Sequence, residues 1–198
     1  LWDVDGTLLD FLAAEKAAMK SLFAEFGLGE CSDAMVARYS EINKRYWEAL
    51  ERGEMTKPQI LAGRFAEFFR GEGIDPALAA PFNERYQLSL GDTVVYCDGS
   101  YGLVASLRGR LRQYAVSNGT VVAQTKKLAA SGFDRLLDGV FLSEELGYEK
   151  PAPEFFDAVF AGIGPADRRR TLIIGDSLTS DIAGSARAGI RSCWYNPG

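Results

Sequence analysis

From about residue 91 onward, short apolar runs alternate with stretches of helical period. That alternation restricts the chain to an α/β fold, a parallel sheet with helices on its faces. The apolar runs are residues 112–117 (RQYAVS), 139–143 (GVFLS), 171–175 (TLIIG) and 190–194 (IRSCW). Helical stretches fall near 101–108, 121–131, 153–162 and 180–188. The opening LWDVD has the same apolar character and reads as the tail of a first strand whose beginning has been cut away.

Residues 10–90 follow a different pattern. Met35, Tyr39, Ile42, Tyr46 and Leu50 recur at helical spacing and define one face. Leu61, Phe65 and Phe68 form a second face, and Leu78, Phe82 and Tyr86 a third. Thr56-Lys57-Pro58-Gln59 has the form of a capping box, and Asp75-Pro76 sets a cap residue before a first-turn proline. Glycines 27, 53 and 71 or 73 stand where helices should stop. The reading is a bundle of four helices, residues 10–90, inserted into a sheet domain formed by residues 1–9 and 91–198.

Composition limits the chemistry. Among 198 residues there is no histidine. Ser-His-Asp and Cys-His triads and histidine-bound zinc or iron are therefore excluded. Any catalysis must use carboxylates, lysine, hydroxyls, backbone amides and a hard metal. The net charge is −5, so no nucleic acid polymer is expected as a partner. Arg168-Arg169-Arg170 reads as a solvated loop. No apolar run approaches the ~18 residues needed to cross a membrane, and no signal peptide shows. Cys31, Cys97 and Cys193 are odd in number and fit no metal spacing, which suggests a reduced, cytoplasmic protein. A monomer or weak dimer is expected.

Parallel sheets bind ligands at the carboxyl ends of their strands, and polar groups collect there. Asp3-Val4-Asp5-Gly6-Thr7 follows the first strand and Ser117-Asn118-Gly119-Thr120 the second. The loop after the third ends in Glu149-Lys150-Pro151, and the fourth runs into Gly175-Asp176-Ser177 with Asp181 beyond. Taken singly, Asp176 or Asp181 reads as a helix cap, Ser117-Asn118-Gly119 as a turn, and Lys150 as a surface lysine. Taken together they form a set. Carboxylates ~4 Å apart repel by about 4 kcal/mol per pair at an effective dielectric near ~20, and they stay ionised only beside a cation. Oxygen ligands without histidine favour Mg²⁺. Mg²⁺, a lysine, a hydroxyl and free amides make a receptor for a phosphoryl group. An aspartate facing that group in line is a nucleophile able to form an aspartyl phosphate.

With DVDGT at 3–7, SNG at 117–119, KP at 150–151 and GDSLTSD at 175–181 in order, the chain resembles the haloacid dehalogenase (HAD) superfamily phosphohydrolases. The resemblance implies a Rossmann-like core with a central parallel sheet, and an inserted α-helical cap of the C1 type. It implies that Asp3 is the nucleophile and Asp5 the general acid and base. Ser117 with the Asn118 and Gly119 amides would hold phosphate, and Lys150 would offset charge on nucleophile and phosphate. Asp3, Asp5 (through its carbonyl), Asp176 and Asp181 would hold Mg²⁺. Dehalogenases of this fold lack an aspartate at the second position, so Asp5 argues for phosphate esters.

FLAAEKAAMKSLF, EINKRYWEALERGEMTKPQI, SNGTVVAQTKKLAASGF and GDSLTSDIAGSARAGIRSCWYNP are similar to the bacterial house-cleaning pyrimidine 5′-nucleotidases, which act on dUMP, UMP and dTMP. The partner so implied is a small-molecule phosphate monoester. Tyr46 and Trp47 are large enough to stack on a base, but they fall on or beside an apolar face and read as core packing. The rival readings are another HAD enzyme (a sugar-phosphate phosphatase, a phosphomutase or a phosphonate hydrolase using a cap lysine such as Lys16, Lys20, Lys44 or Lys57) and a non-enzymatic, receiver-like phosphoswitch.

Overall fold

The structure, a computed structural model, describes residues 1–197. The chain separates into a helical unit, Leu12–Thr93, and a sheet unit made of Leu1–Phe11 with the residues from Val94 onward.

The helical unit contains α1 (Phe11–Glu25), α2 (Asp33–Glu51), α3 (Lys57–Glu72) and α4 (Ala79–Ser89). Ser32 Oγ accepts from the Met35 amide at the start of α2, 3.2 Å. The Thr56 amide donates to Gln59 Oε1 at the start of α3, 2.8 Å. Asp75 Oδ1 accepts from the Ala77 amide, 3.0 Å, and opens a 3-10 turn over Pro76–Leu78. The core is aromatic: Phe23, Tyr39, Phe65, Phe68, Phe69, Phe82 and Tyr86 are all buried. Tyr39 stacks on Phe65 with centroids 4.5 Å apart, and Phe23 meets Phe82 edge-on at 6.0 Å. Such pairs add about 0.5–1.5 kcal/mol each beyond the burial itself.

The buried face of α2 differs from the expected one. Val36, Tyr39, Asn43, Ala49 and Leu50 are buried, whereas Met35, Ile42 and Tyr46 are only half-buried. The reason is a polar network inside the bundle. Glu15, fully buried, accepts from Ser40 Oγ, from Asn43 Nδ2 (2.9 Å) and from the Tyr86 hydroxyl (3.0 Å). Asn43 Oδ1 accepts from Arg64 Nη1, and Asn83 Oδ1 from Arg64 Nη2, both at 2.8 Å. Burial raises the Glu15 pKa, and the bonds from Ser40, Tyr86 and Asn43 oppose that rise. Tyr46 lies against Gly63, where a Cβ would sit 2.6 Å from its ring, so this ring packs on α3.

In the sheet unit the order is α5 (Ser100–Leu107), β1 (Tyr114–Ser117), α6 (Val121–Ser131), β2 (Gly139–Leu142), α7 (Ser143–Leu146), α8 (Pro153–Ile163), β3 (Leu172–Gly175), α9 (Ala183–Ala188) and β4 (Arg191–Trp194). β1 pairs in parallel with β2, Ala115 opposite Val140, and β3 with β4, Ile173 opposite Ser192. The opening residues join the two pairs. Trp2 exchanges backbone bonds with Tyr114 and Val116, both 2.8 Å, while Leu1 and Asp3 do so with Ile174, both 2.9 Å. The order across the sheet is therefore β2, β1, residues 1–3, β3, β4. The expected first strand is present as bridges at Trp2.

Alternation along the strands fills two cores. Ala115, Val140 and Ile174 join Trp2, Val104 and Leu128. Their neighbours Val116, Phe141 and Ile173 join Phe155, Phe156, Val159 and Ala188. The sheet is thus covered on both faces, as a parallel sheet requires.

Three further expectations are corrected. The stretch after the 139–143 run holds a short helix, α7, before the loop that ends in Lys150. The helix expected over 180–188 opens with a π turn, Leu178–Ile182, which carries Asp181. Residues 168–170, expected as a solvated loop, form a 3-10 turn in which Arg169 and Arg170 are exposed while Arg168 reaches Asp157 (2.5 Å) and the Ala188 carbonyl (2.9 Å). Among the described residues no helix is long and apolar enough to cross a membrane.

Candidate active site

The parallel sheet brings the ends of β1, residues 1–3 and β3 to one edge, and the loop carrying Lys150 is tied onto it. Asn118, just past β1, holds that loop on both sides. Its Nδ2 donates to the Lys150 carbonyl and its Oδ1 accepts from the Lys150 amide, each at 2.8 Å. The lysine side chain, 1% exposed, is thereby directed inward. Its Nζ donates to Asp3 Oδ1 (2.6 Å), Asp181 Oδ1 (2.7 Å) and the Val116 carbonyl (3.0 Å).

Asp176 completes the cluster. Thr7 Oγ1 donates to its Oδ1, 3.1 Å, and Trp194 Nε1 to its carbonyl, 2.9 Å. Its carboxylate lies over Gly6, where a Cβ would stand 2.5 Å from Oδ2. Gly6 also holds a φ of +85°, so glycine is required there on both counts. The Ser177 amide donates to Asp181 Oδ2, 3.2 Å.

Charge is crowded here. Burial pushes the Asp3 carboxyl well above the usual carboxylate range; Lys150 opposes this, while Asp181 and Asp176 add to it. Burial and then Asp181 raise Asp176 as well. Burial alone would lower Lys150, but Asp181 and Asp3 outweigh it and hold the ammonium charged. Three carboxylates against one lysine leave negative charge uncompensated. Ligand oxygens of Asp3, Asp176 and Asp181 lie within 4.8 Å of one another. A magnesium ion with ~2.1 Å bonds spans oxygens up to ~4.2 Å apart, so these three fit such an ion after a small contraction. Cys97 offers no competing nucleophile, because burial and then Asp10 push its thiol up to about 11.

A pH dependence follows. The folded-state pKa values of Asp3 and Asp176 lie above their unfolded values. In metal-free protein their contribution to stability is full below the unfolded value, near ~3.9, and is lost as pH rises through the raised folded values. A divalent ion binds the deprotonated set, so its effect has the opposite sign. The rise in Tm on adding Mg²⁺ is expected to be large near about pH 8 and to shrink toward about pH 5. Thermal melts with Mg²⁺ or EDTA across that range check this. A metal increment independent of pH would exclude these carboxylates as ligands.

The other expected site residues are placed as follows. Ser117 is buried and its Oγ accepts from the Gly119 amide, 3.0 Å, which leaves its own O–H available to donate. Asp5 does not share the bonds of the acidic cluster. Its Oδ2 accepts from Gln124 Nε2 (2.5 Å) and its Oδ1 from Lys127 Nζ (2.6 Å), both on α6. Sequence reasoning missed Gln124, Lys127, Thr7 and Trp194. The available signal for the first two was their i, i+3 spacing on the same helical face as Ala123 and Leu128.

The family model for haloacid dehalogenase-like hydrolases matches residues 1–189. The chain is 38% identical over its whole length to the HAD-hydrolase YfnB of Bacillus subtilis, covering 83% of that protein. A crystal structure of YfnB bound to magnesium superposes with a TM-score of 0.92 over 99% of this chain and 85% of that one. Pyrimidine 5′-nucleotidase PynA of Streptococcus pneumoniae is 38% identical over all of this chain and 83% of its own length. Pyrimidine 5′-nucleotidase YjjG of Escherichia coli is 27% identical over 98% of this chain and 84% of its own.

Proposed function

Because this chain belongs to the haloacid dehalogenase-like hydrolase family, we propose that it is a Mg²⁺-dependent phosphatase, a 5′-nucleotidase for pyrimidine nucleoside monophosphates and their deoxy forms. The observation that carries the chemistry is Asp3, buried and ion-paired to Lys150 beside Asp176 and Asp181 at the carboxyl edge of a parallel sheet. The similarity to PynA over the whole chain supports the nucleotide substrate.

Asp3 attacks phosphorus through a carboxylate oxygen while the ester P–O bond breaks, and Asp5 protonates the leaving oxygen. Water then attacks the aspartyl phosphate and gives a proton to Asp5. Inorganic phosphate leaves and Asp3 is restored. Lys150 offsets charge on Asp3 and on the phosphoryl oxygens. The Ser117 hydroxyl and the Asn118 and Gly119 amides receive those oxygens. Asp3, Asp176, Asp181 and the Asp5 carbonyl would hold Mg²⁺, which, when bound, neutralises charge that develops on the phosphoryl group.

A phosphonate hydrolase needs a neutral lysine for its Schiff base. Lys16 and Lys20 both pair with Asp33, at 3.0 and 2.7 Å. The bond to Asp33 raises the Lys20 pKa, which favours the charged and unreactive form. The three cysteines are free, which supports a reducing, cytoplasmic setting.

Phosphate release should be measured from nucleoside monophosphates, sugar phosphates, p-nitrophenyl phosphate and phosphonates, with Mg²⁺ and with EDTA. Mg²⁺-dependent turnover with the highest kcat/KM on pyrimidine monophosphates is expected. Equal rates on sugar phosphates overturn the nucleotide assignment alone. Release from none of these esters overturns the phosphatase.

A further inference from the structure

We infer that Gln124 and Lys127 are positioning residues that hold both oxygens of the Asp5 carboxylate in line with the leaving oxygen and the attacking water, an inference resting on the phosphatase reading above. Asp5 has to act twice, on two different oxygens, and misplacement by ~1 Å costs ~10²-fold in a reaction that depends on alignment. A single hydrogen bond would leave the carboxylate free to rotate. Two donors, one to each oxygen, fix its plane, and each oxygen keeps a lone pair for the chemistry.

The rest of α6 is arranged around this seat. The helix exposes Val122 by 51% yet buries Lys127 to 2% and Gln124 to 1%. Burial energetics alone would choose the opposite. Gln124 Oε1 is buried without a partner among the described residues, so the amide is held through Nε2, the donor to Asp5. The Phe11 ring lies 5.0 Å from Lys127 Nζ and closes another side. Gly119 also belongs to the seat, since a Cβ there would collide with the Gln124 side-chain amide. Its glycine identity is thus explained by Gln124 as well as by phosphate binding.

The test separates proton delivery from general damage. The first chemical step, read by kcat/KM, needs a proton when the leaving group is an alkoxide, as in a nucleoside monophosphate. It needs none for p-nitrophenolate. Lys127→Met and Gln124→Leu are each expected to lower kcat/KM on a nucleoside monophosphate by ~10²-fold, and on p-nitrophenyl phosphate by less than ~10-fold. Lys127→Arg, which keeps a cationic donor, is expected to restore part of the loss. Equal losses on both esters, or no loss on either, overturn the positioning role. Should Lys127→Met unfold, Gln124→Leu carries the same comparison, because it leaves the Lys127–Asp5 pair in place. If the wild-type protein hydrolyses neither ester, the phosphatase reading has failed instead.

Discussion

Asp3→Asn is expected to reduce phosphate release by at least ~10⁴-fold, because it removes the proposed nucleophile and keeps its shape. An amide oxygen is a poor nucleophile toward phosphorus, and the remaining electrostatics cannot create the covalent step. The fold should survive. Lys150 keeps its bonds to Asp181 and to the Val116 carbonyl. The substitution also removes a carboxylate whose charge burial opposes and whose neighbours Asp181 and Asp176 repel it. The Tm without metal should therefore stay level or rise, the usual sign of a site that gives up stability for function. Steady-state phosphate release and thermal melts on one preparation check both halves. Turnover within tenfold of wild type would remove Asp3 from the nucleophile's role.

Lys150→Met is expected to cost both activity and stability. The ammonium is the cation bonded to Asp3 and Asp181, whose side chains are 10% and 0% exposed. Removing one partner of a buried pair costs about 3–5 kcal/mol. At ~2–4 °C per kcal/mol for a chain of this size, Tm should fall by roughly 6–20 °C. Asp3 already has a raised pKa. It takes up a proton as pH falls, and one of the two orphaned charges then disappears. The deficit should accordingly be larger near about pH 8 than near about pH 5. Adding Asp3→Asn to Lys150→Met should recover part of the loss, as a double-mutant cycle would register. A Tm within ~2 °C of wild type would mean that Lys150 is not what holds these carboxylates together.

Much of this was legible in local patterns. The change from helical spacing to alternating short apolar runs near residue 91 prescribed a parallel sheet, because side-chain period reports which face an element must bury. The positions of Asp3, Ser117 and Asp176 at run ends, and of Lys150 in the loop after the 139–143 run, then placed them at one edge before any coordinates. Trp2 needed the fold for its role. Five residues of opening sequence cannot say that they will lie between β1 and β3.

The sequence by itself determined the fold class, the oxygen-and-lysine chemistry forced by the missing histidine, and the set of carboxylates that must converge. Tertiary structure alone decided which polar residues go inside. Lys126 and Lys127 are chemically identical neighbours, yet one meets Asp5 under the Phe11 ring. Asn43 takes a core position beside Ile42 because Glu15 and Arg64 need it. The physical reason is that a polar side chain is buried only where partners from distant segments offset its desolvation, and those partners are set by packing rather than by period.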